Sequence, residues 1–375
     1  MITTMDGSNN SNGIVGIHLL SPNITGVNLG RSVNLLLVSQ LAEVGYRTAF
    51  IPKSNYSFGS DSVPAVRGYF AAANSAGDGL VISKTPATLP LGPAVDAIQV
   101  VRARTASPAQ LETTIPVVNG HKLRVIGADK WAQYLLLRDY MPQTVLTSGA
   151  EDSIPDLLEQ IPTSRVVVKA INGRDGKLLS IVDKPQATQA VADIRTAMAE
   201  KGLTKASILL QAYQPGVAFT MVRGAASDDM AAISALPHDA AAELRVYCFG
   251  FWSGREVQLE TYAVYRVLIG SPAEAFIVID QASVPPEAFR IAEFAARRII
   301  DHSGALGGLI AVDEIVRADG TIGIREINTR DPALAGLVSQ NHDFQVAQVA
   351  RLVRLLVGLA QEQQAATTLQ QLSAH

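Results

Sequence analysis

What this chain has little of narrows it first. It holds a single cysteine, Cys248. No disulfide can form within it, which suits a reducing compartment. Cys248 lies inside the apolar run Leu244–Trp252 and reads as a small buried residue rather than a reactive thiol. No stretch reaches the roughly 18 consecutive apolar residues of a membrane span, so no membrane partner is expected. Charged residues fill only 17% of the 375 positions and leave a net charge of −3. Without a basic surplus there is no electrostatic case for nucleic-acid binding. The six histidines form no metal-spaced pair with one another or with cysteine, and no Gly-x-Ser-x-Gly elbow marks a serine hydrolase. Residues 1–12 are polar and lack the basic-then-apolar order of a signal peptide, so they read as a disordered lead-in. What is present, 48% hydrophobic residues over this length, suffices for two or three domains around a substantial core.

The most informative stretch runs from Leu309 to Arg330. Asp319-Gly320 suits a tight turn between two strands. Pairing the strands around it sets Ala318 against Thr321 and Glu314 against Arg325, an opposite-charge pair that stabilises a sheet. The same register sets Asp313 directly opposite Glu326, where like charges repel. A bound divalent cation removes that conflict. Asn328 lies two residues beyond Glu326, on the same strand face, and offers a third oxygen. Three oxygen donors without histidine or cysteine suit Mg²⁺ or Mn²⁺ better than zinc.

Along the chain, Ile14–Leu20, a loop at Ser21–Arg31, a helix from Ser32 to about Val44 and a strand Arg47–Pro52 form a β-loop-α-β unit, the start of a parallel α/β domain. Ser54–Leu91 reads as loop-rich, with short strands expected at Ala97–Arg102 and Leu123–Ile126. Asp129 is placed to cap a helix through Trp131, Tyr134 and Arg138. Arg165–Lys169 is a β-branched strand, Asn172–Lys177 a glycine-containing turn and Leu178–Val182 the returning strand. A helix Ala187–Ala199 and a strand Ile208–Ala212 follow. Further strands are expected at Ala218–Val222, Leu244–Trp252 and Ala263–Leu268. An amphipathic helix over Pro286–His302 ends at Gly304, and the last helix spans about Phe344–Leu359. Residues 361–375 should fray or extend it.

Several residues stand out chemically. Lys169 ends an apolar strand, where a charged amine needs an anionic partner. Gly173 and Gly176 would let backbone N–H groups approach a phosphate, although a plain hairpin turn explains them equally well. The order is a lysine at a helix start, a strand ending in lysine, a glycine turn, the strand end Gln211-Ala212-Tyr213, then Asp313 and Glu326-Ile-Asn328. It resembles the ATP-grasp superfamily, in particular its carboxylate–amine ligases such as D-alanine–D-alanine ligase and the L-amino-acid ligases. The resemblance spans roughly residues 115–360.

That resemblance implies a fold and a layout. The fold would be α/β, with α+β character in the ATP-binding half: an N-terminal parallel α/β domain (13–126), then two subdomains (127–215 and 216–360) that sandwich ATP. It implies that Lys130 and Lys169 contact ATP phosphates and that Gln211, Ala212 and Tyr213 form the hinge that holds adenine. Asp313, Glu326 and Asn328 would bind Mg²⁺ or Mn²⁺. Arg330, which extends the Glu-x-Asn-x-Arg order, would sit by the reacting carboxylate, with Arg245 and Arg266 contacting phosphate or substrate. A guanidinium can hold a carboxylate bidentately and stabilise it as it becomes an acyl phosphate. One departure is that Gly216-Val217-Ala218 carries alanine where many relatives have a ribose-binding glutamate. The expected activity is ATP-dependent amide or peptide bond formation between a small carboxylic acid and an amine, in the cytoplasm. Relatives are often homodimers, so a homodimer is one expected state. The alternatives are an ATP-grasp kinase that leaves the phosphate on its acceptor, and a non-catalytic ATP-binding regulator.

Overall fold

The computed structural model describes residues 13–19, 32–52, 56–57, 65–89, 94–96, 112, 115–147, 149, 153–171, 173, 178–203, 207–215, 241–270, 273–317, 319–329 and 342–373. They build three sheets. The first begins with β1 (Gly13–Leu19), α1 (Ser32–Glu43) and β2 (Tyr46–Pro52), in which β1 and β2 run parallel as the sequence leads one to expect. The stretch read as loop-rich instead carries four short strands: β3 (Tyr56–Ser57), β4 (Ala65–Ala73), β5 (Leu80–Ile82) and β6 (Ala87–Leu89). β3, β5 and β6, of two or three residues each, are too short to show a period, and the nine-residue β4, Ala-Val-Arg-Gly-Tyr-Phe-Ala-Ala-Ala, lacks a clear apolar–polar alternation. β7 (Ala94–Asp96) and β8 (Val117–Val118) complete the order β3-β4-β2-β1-β7-β8, with β5 and β6 both on β4. The strand expected at Ala97–Arg102 lies outside the described residues, as does that at Ala218–Val222.

The strand expected at Leu123–Ile126 is instead the middle of a helix, α2 (His121–Ala128). Leu123 and Ile126 are three apart, so on a helix they share one face, and both are buried in the largest apolar cluster. α3 (Lys130–Leu137) follows at once. Its cap is Asp129, whose carboxylate accepts from the N–H groups of Trp131 and Ala132, both at 3.0 Å.

The second sheet holds β9 (Thr144–Thr147), β10 (Arg165–Ala170), β11 (Leu179–Asp183) and β12 (Ile208–Ala212), antiparallel in the order β11-β10-β12-β9. Two helices, α4 (Ile154–Glu159) and α5 (Ala187–Glu200), cover one face, where Val166 and Val168 meet Ile194. Alternation then turns Lys169 to the uncovered face.

The third sheet is the frame of the site. It orders β15 (Ala273–Val278), β14 (Glu256–Gly270), β13 (Ala241–Ser253), β16 (Gly307–Val316) and β17 (Ile322–Asn328). α6 (Pro286–Ser303) packs on one face through Ile291, Ala295 and Ile299 against Val246, Ile310 and Val312. It ends, as expected, at Gly304 in the left-handed conformation. α7 (His342–Ser373) covers the other face together with α1, over Tyr247, Phe249 and Leu309. α7 runs well past the expected end near Leu359. No helix among the described residues is long and apolar enough to cross a membrane.

One side chain ties these units together. Asn119, just after β8, is buried with φ of 53°. Its amide donates to the carbonyls of Leu309 and Thr329, each at 2.6 Å, and its Oδ1 accepts from Leu309 N–H at 2.7 Å. Thr329 Oγ1 in turn donates to Leu123 O at 2.7 Å. The first sheet is thereby fastened to both strands of the β16–β17 hairpin. Gly308 leaves room for this joint, because a Cβ there would come within 2.2 Å of Leu123. Replacing Asn119 by leucine leaves three buried backbone groups without partners and places a branched residue at positive φ. Each unmet group costs about 1–3 kcal/mol, so Asn119→Leu should lower unfolding stability by roughly 3 kcal/mol or more. Chemical denaturation should show a lower midpoint with an unchanged slope.

Candidate active site

The polar cluster lies on the α7-side face of the third sheet, beyond the end of its apolar packing. On β13 the period of two puts Glu243 and Arg245 on the same face as Tyr247 and Phe249. Arg245 pairs in register with Asp313 on β16, and Asp313 with Glu326 on β17. The expected opposition of the two acids is therefore present.

Asp313 is fully buried. Arg245 grips it bidentately, Nε to Oδ1 at 2.6 Å and Nη2 to Oδ2 at 2.8 Å. Oδ2 also accepts from Arg266 at 3.2 Å and from the Asn328 amide at 2.9 Å. Asn328 donates through Nδ2, so its Oδ1 remains as an acceptor. Glu326 is a third exposed and is held by Lys130, Nζ to Oε1 at 3.2 Å. The same ammonium donates to Gly173 O at 2.9 Å. Burial would raise the Glu326 pKa, but the charges of Lys130, Lys169 and Arg325 outweigh it and hold the carboxyl at about 2.

The expected pairing of Glu314 with Arg325 does not occur. A β-bulge lies between Asp313 and Glu314, so Glu314 pairs with Ile324 and Arg325 has no opposite residue. Arg325 instead makes an ion pair with Glu243. Glu314 faces the α6 side, buried and without a hydrogen-bond partner. Burial and the neighbouring Asp313 charge push its pKa well above the usual carboxylate range. A neutral acid there costs less than an unpaired charge.

Lys169 reaches the cluster from the second sheet. Its Nζ donates to Gln211 Oε1 at 2.9 Å, and Gln211 Nε2 donates to Thr144 Oγ1 at 2.9 Å. Gln211 thus steadies a lysine with its side chain. The N–H of Ala212 donates to Gln143 O at 2.8 Å and that of Tyr213 to Arg165 O at 3.1 Å. Arg165 also lies over the Tyr213 ring at 4.7 Å. A base at this strand end would have to meet the carbonyls of these residues or groups beyond Tyr213. Gly176 and Arg330 lie outside the described residues.

The structure thus brings together Lys130, Lys169, Gly173, Gln211, Arg245, Arg266, Asp313, Glu326 and Asn328. Two members, Glu243 and Arg325, were not singled out from the sequence. Glu243-Leu-Arg245 carried a signal, since two charges two apart in an apolar strand share a face. Arg325 carried none, because its place depends on the bulge. Among the described residues no group of three or more His, Cys, Asp or Glu stands ready for a metal. The oxygen set nonetheless fits a hard divalent ion. Glu326 and Asn328 Oδ1 are the accessible donors, while Asp313 Oδ2 already accepts from three donors and keeps its free capacity at Oδ1.

Burial lowers the Lys169 pKa to about 8, the Glu326 charge opposing the shift and those of Lys130 and Arg325 adding to it. The folded value lies below the unfolded one, so between about pH 8 and pH 10.5 the unfolded chain binds more protons and stability rises with pH. The wild type should therefore gain stability relative to Lys169→Met across that window. Parallel denaturation curves at pH 7.5 and 10 test this, and equal shifts in both proteins would contradict it.

No protein-family model matches the chain, and no curated protein matches it by sequence. Solved structures do. The D-Ala:D-Ser ligase from Enterococcus faecalis aligns with a TM-score of 0.55 at 13% identity, covering 93% of this chain and 100% of its own. The RimK domain ATP-grasp protein from Sphaerobacter thermophilus gives 0.54 at 17%, covering 91% and 99%. The D-alanine–D-alanine ligase from Coxiella burnetii gives 0.53 at 14%, covering 96% and 99%. At such identities the likeness speaks for the fold, and it extends over nearly the whole of both chains. This chain has the ATP-grasp fold.

Proposed function

We propose that this chain is an ATP-dependent carboxylate–amine ligase that forms an amide or peptide bond on small amino-acid-like substrates. The observation that carries the reading is the charge of the cluster. Among the described residues five cations (Lys130, Lys169, Arg245, Arg266 and Arg325) gather around three carboxylates (Glu243, Asp313 and Glu326). That surplus of positive charge, partly open to solvent, suits a polyanion held with a divalent cation. Residues 127–215 and 216–360 would then be the two halves that close on the nucleotide.

The residues divide the work by mobility. Lys130, which pairs with Glu326 at 3.2 Å, would offer its ammonium to a phosphate, and Glu326 would be among the residues that hold a divalent ion. Lys169, kept in place by Gln211, carries its charge at neutral pH and meets a second phosphate. Arg245 stays on Asp313 and fixes the strand register rather than touching substrate. Arg330, by the resemblance, would serve the acyl side. A substrate carboxylate oxygen attacks the terminal phosphorus and ADP leaves, giving an acyl phosphate. The amine then attacks the carbonyl carbon, phosphate departs and the nitrogen loses a proton. A Mg²⁺ or Mn²⁺ ion on Glu326, Asn328 and Asp313 would neutralise charge on the phosphate oxygens. The proteins that share the fold include ligases acting on D-alanine and D-serine, which fits an amino-acid-like acid and amine.

The test is ATP turnover screened over amino acids, singly and in pairs. A ligase releases ADP and phosphate only with both acid and amine present. ADP formation with one acceptor and a stable phosphoester would mean a kinase, and no turnover with any pair would count against catalysis. Within an active pair, Glu326→Gln should lower kcat by more than about 100-fold, since even outer-shell partners of a metal ligand are worth 10–100-fold. Asn328→Asp keeps an oxygen donor and should retain activity with a shifted Mg²⁺ dependence. Full activity of Glu326→Gln at millimolar Mg²⁺ would remove the metal assignment.

A further inference from the structure

We propose that Arg325 and Arg266 form a paired anion clamp for the phosphate chain of the nucleotide, and that Glu243 is the positioning residue holding the pair. This rests on the ATP-binding reading above.

The argument starts from exposure. Arg245 is 4% exposed at its side chain and already committed to Asp313. Arg266, which also donates to Asp313 at 3.2 Å, and Arg325 are 21% and 39% exposed, so a ligand can reach them. Behind both sits Glu243, only 3% exposed. Its two oxygens have no hydrogen-bond partner, and its charge is met by the guanidinium groups of Arg266, at 3.6 Å, and Arg325. A buried carboxylate is kept at such a cost only where the cations around it need it. Removing the two arginines from its side would leave it stranded, and removing it would let two like charges drift apart.

The backbone supports the same conclusion. With Asp313 opposite Glu326, a hairpin unbroken toward the turn would set Arg325 opposite Glu314, with its side chain on the α6 side of the sheet. The bulge frees Arg325 from that pairing and brings it, with Glu326, to the face of Glu243 and Arg266. Arg325 then lies close enough to Lys169 and Glu326 for its charge to act on both. The pair therefore borders the lysine that reaches in from the second sheet, and two planar forks side by side suit the oxygens of adjacent phosphates.

Calorimetry with Mg²⁺ and ADP, a non-hydrolysable ATP analogue, or adenosine alone tests this on the full chain. Arg325→Met, at a half-buried position, should weaken both nucleotides about tenfold, the worth of one charge-assisted contact, and leave adenosine unchanged. Glu243→Gln separates positioning from plain electrostatics. Deleting a negative charge beside the site should by Coulomb's law alone tighten a polyanion, whereas loss of positioning should weaken it about tenfold. Tighter nucleotide binding by Glu243→Gln overturns the positioning role, and unchanged affinities in Arg325→Met overturn the clamp. An equal loss of adenosine affinity would mean a damaged fold and also count against it. A wild type that binds no nucleotide would instead overturn the reading on which the clamp rests.

Discussion

Two carboxylates, Asp313 and Glu326, are held directly opposite each other across one antiparallel pair, and the surrounding structure is organised by the need to compensate them. Neither can move away, because each is fixed by the register of β16 on β17, and Asp313 is fully buried. Cations from other parts of the chain answer them. Arg245 comes from β13, Arg266 from β14, Lys130 from the first turn of α3 and Lys169 from the second sheet. The site is thus a junction as much as a pocket, and its electrostatics hold the three parts to one another.

That junction also has an uncharged brace. Asn119 satisfies three backbone groups of the hairpin from the end of the first sheet, in a left-handed conformation that asparagine tolerates better than most residues. Where Asp313 and Glu326 repel each other across the pair, Asn119 and Thr329 tie down the ends of the same two strands. The bulge beside Asp313 is the counterpart on the charged side. Ordinary alternation along β16 sends Asp313 to the site and Glu314 into the apolar layer under α6, while the extra residue in β17 brings Arg325 and Glu326 to the site face. Burial there pushes the Glu314 pKa up, while Asp313 beside it is held by Arg245, Arg266 and Asn328.

Much of this could be read from residue order. The Asp319-Gly320 turn marked the hairpin, but the strands leave it one residue away from the expected register, with Val316 on Ile322 and Glu314 on Ile324, and the bulge then restores the opposition of Asp313 and Glu326. Asp129 announced the start of α3, and Gly304 the end of α6. The failures have one cause. Leu123-Arg124-Val125-Ile126 is apolar but for Arg124 and partly β-branched, yet too short for periodicity to separate strand from helix, and packing on α6 decided for helix. The small strands between Tyr56 and Leu89 exist only because β4 offers them an edge.

The sequence by itself determined the local pieces: most of the longer strands and helices, the cap at Asp129, the presence of the hairpin and the chemical types gathered at Lys130, Lys169, Asp313, Glu326 and Asn328. Those follow from short-range geometry and from the preferences of single residues. The tertiary structure alone decided which charges meet. Arg245 finds Asp313 across 68 residues of chain, and Lys169 finds Gln211 across 42. It also decided that Arg325 leaves its expected partner for Glu243, since one extra residue in β17 moves a side chain from one sheet face to the other. Pairings of that kind depend on the order of strands in a sheet and on a single bulge, and neither is written in the spacing of residues along the chain.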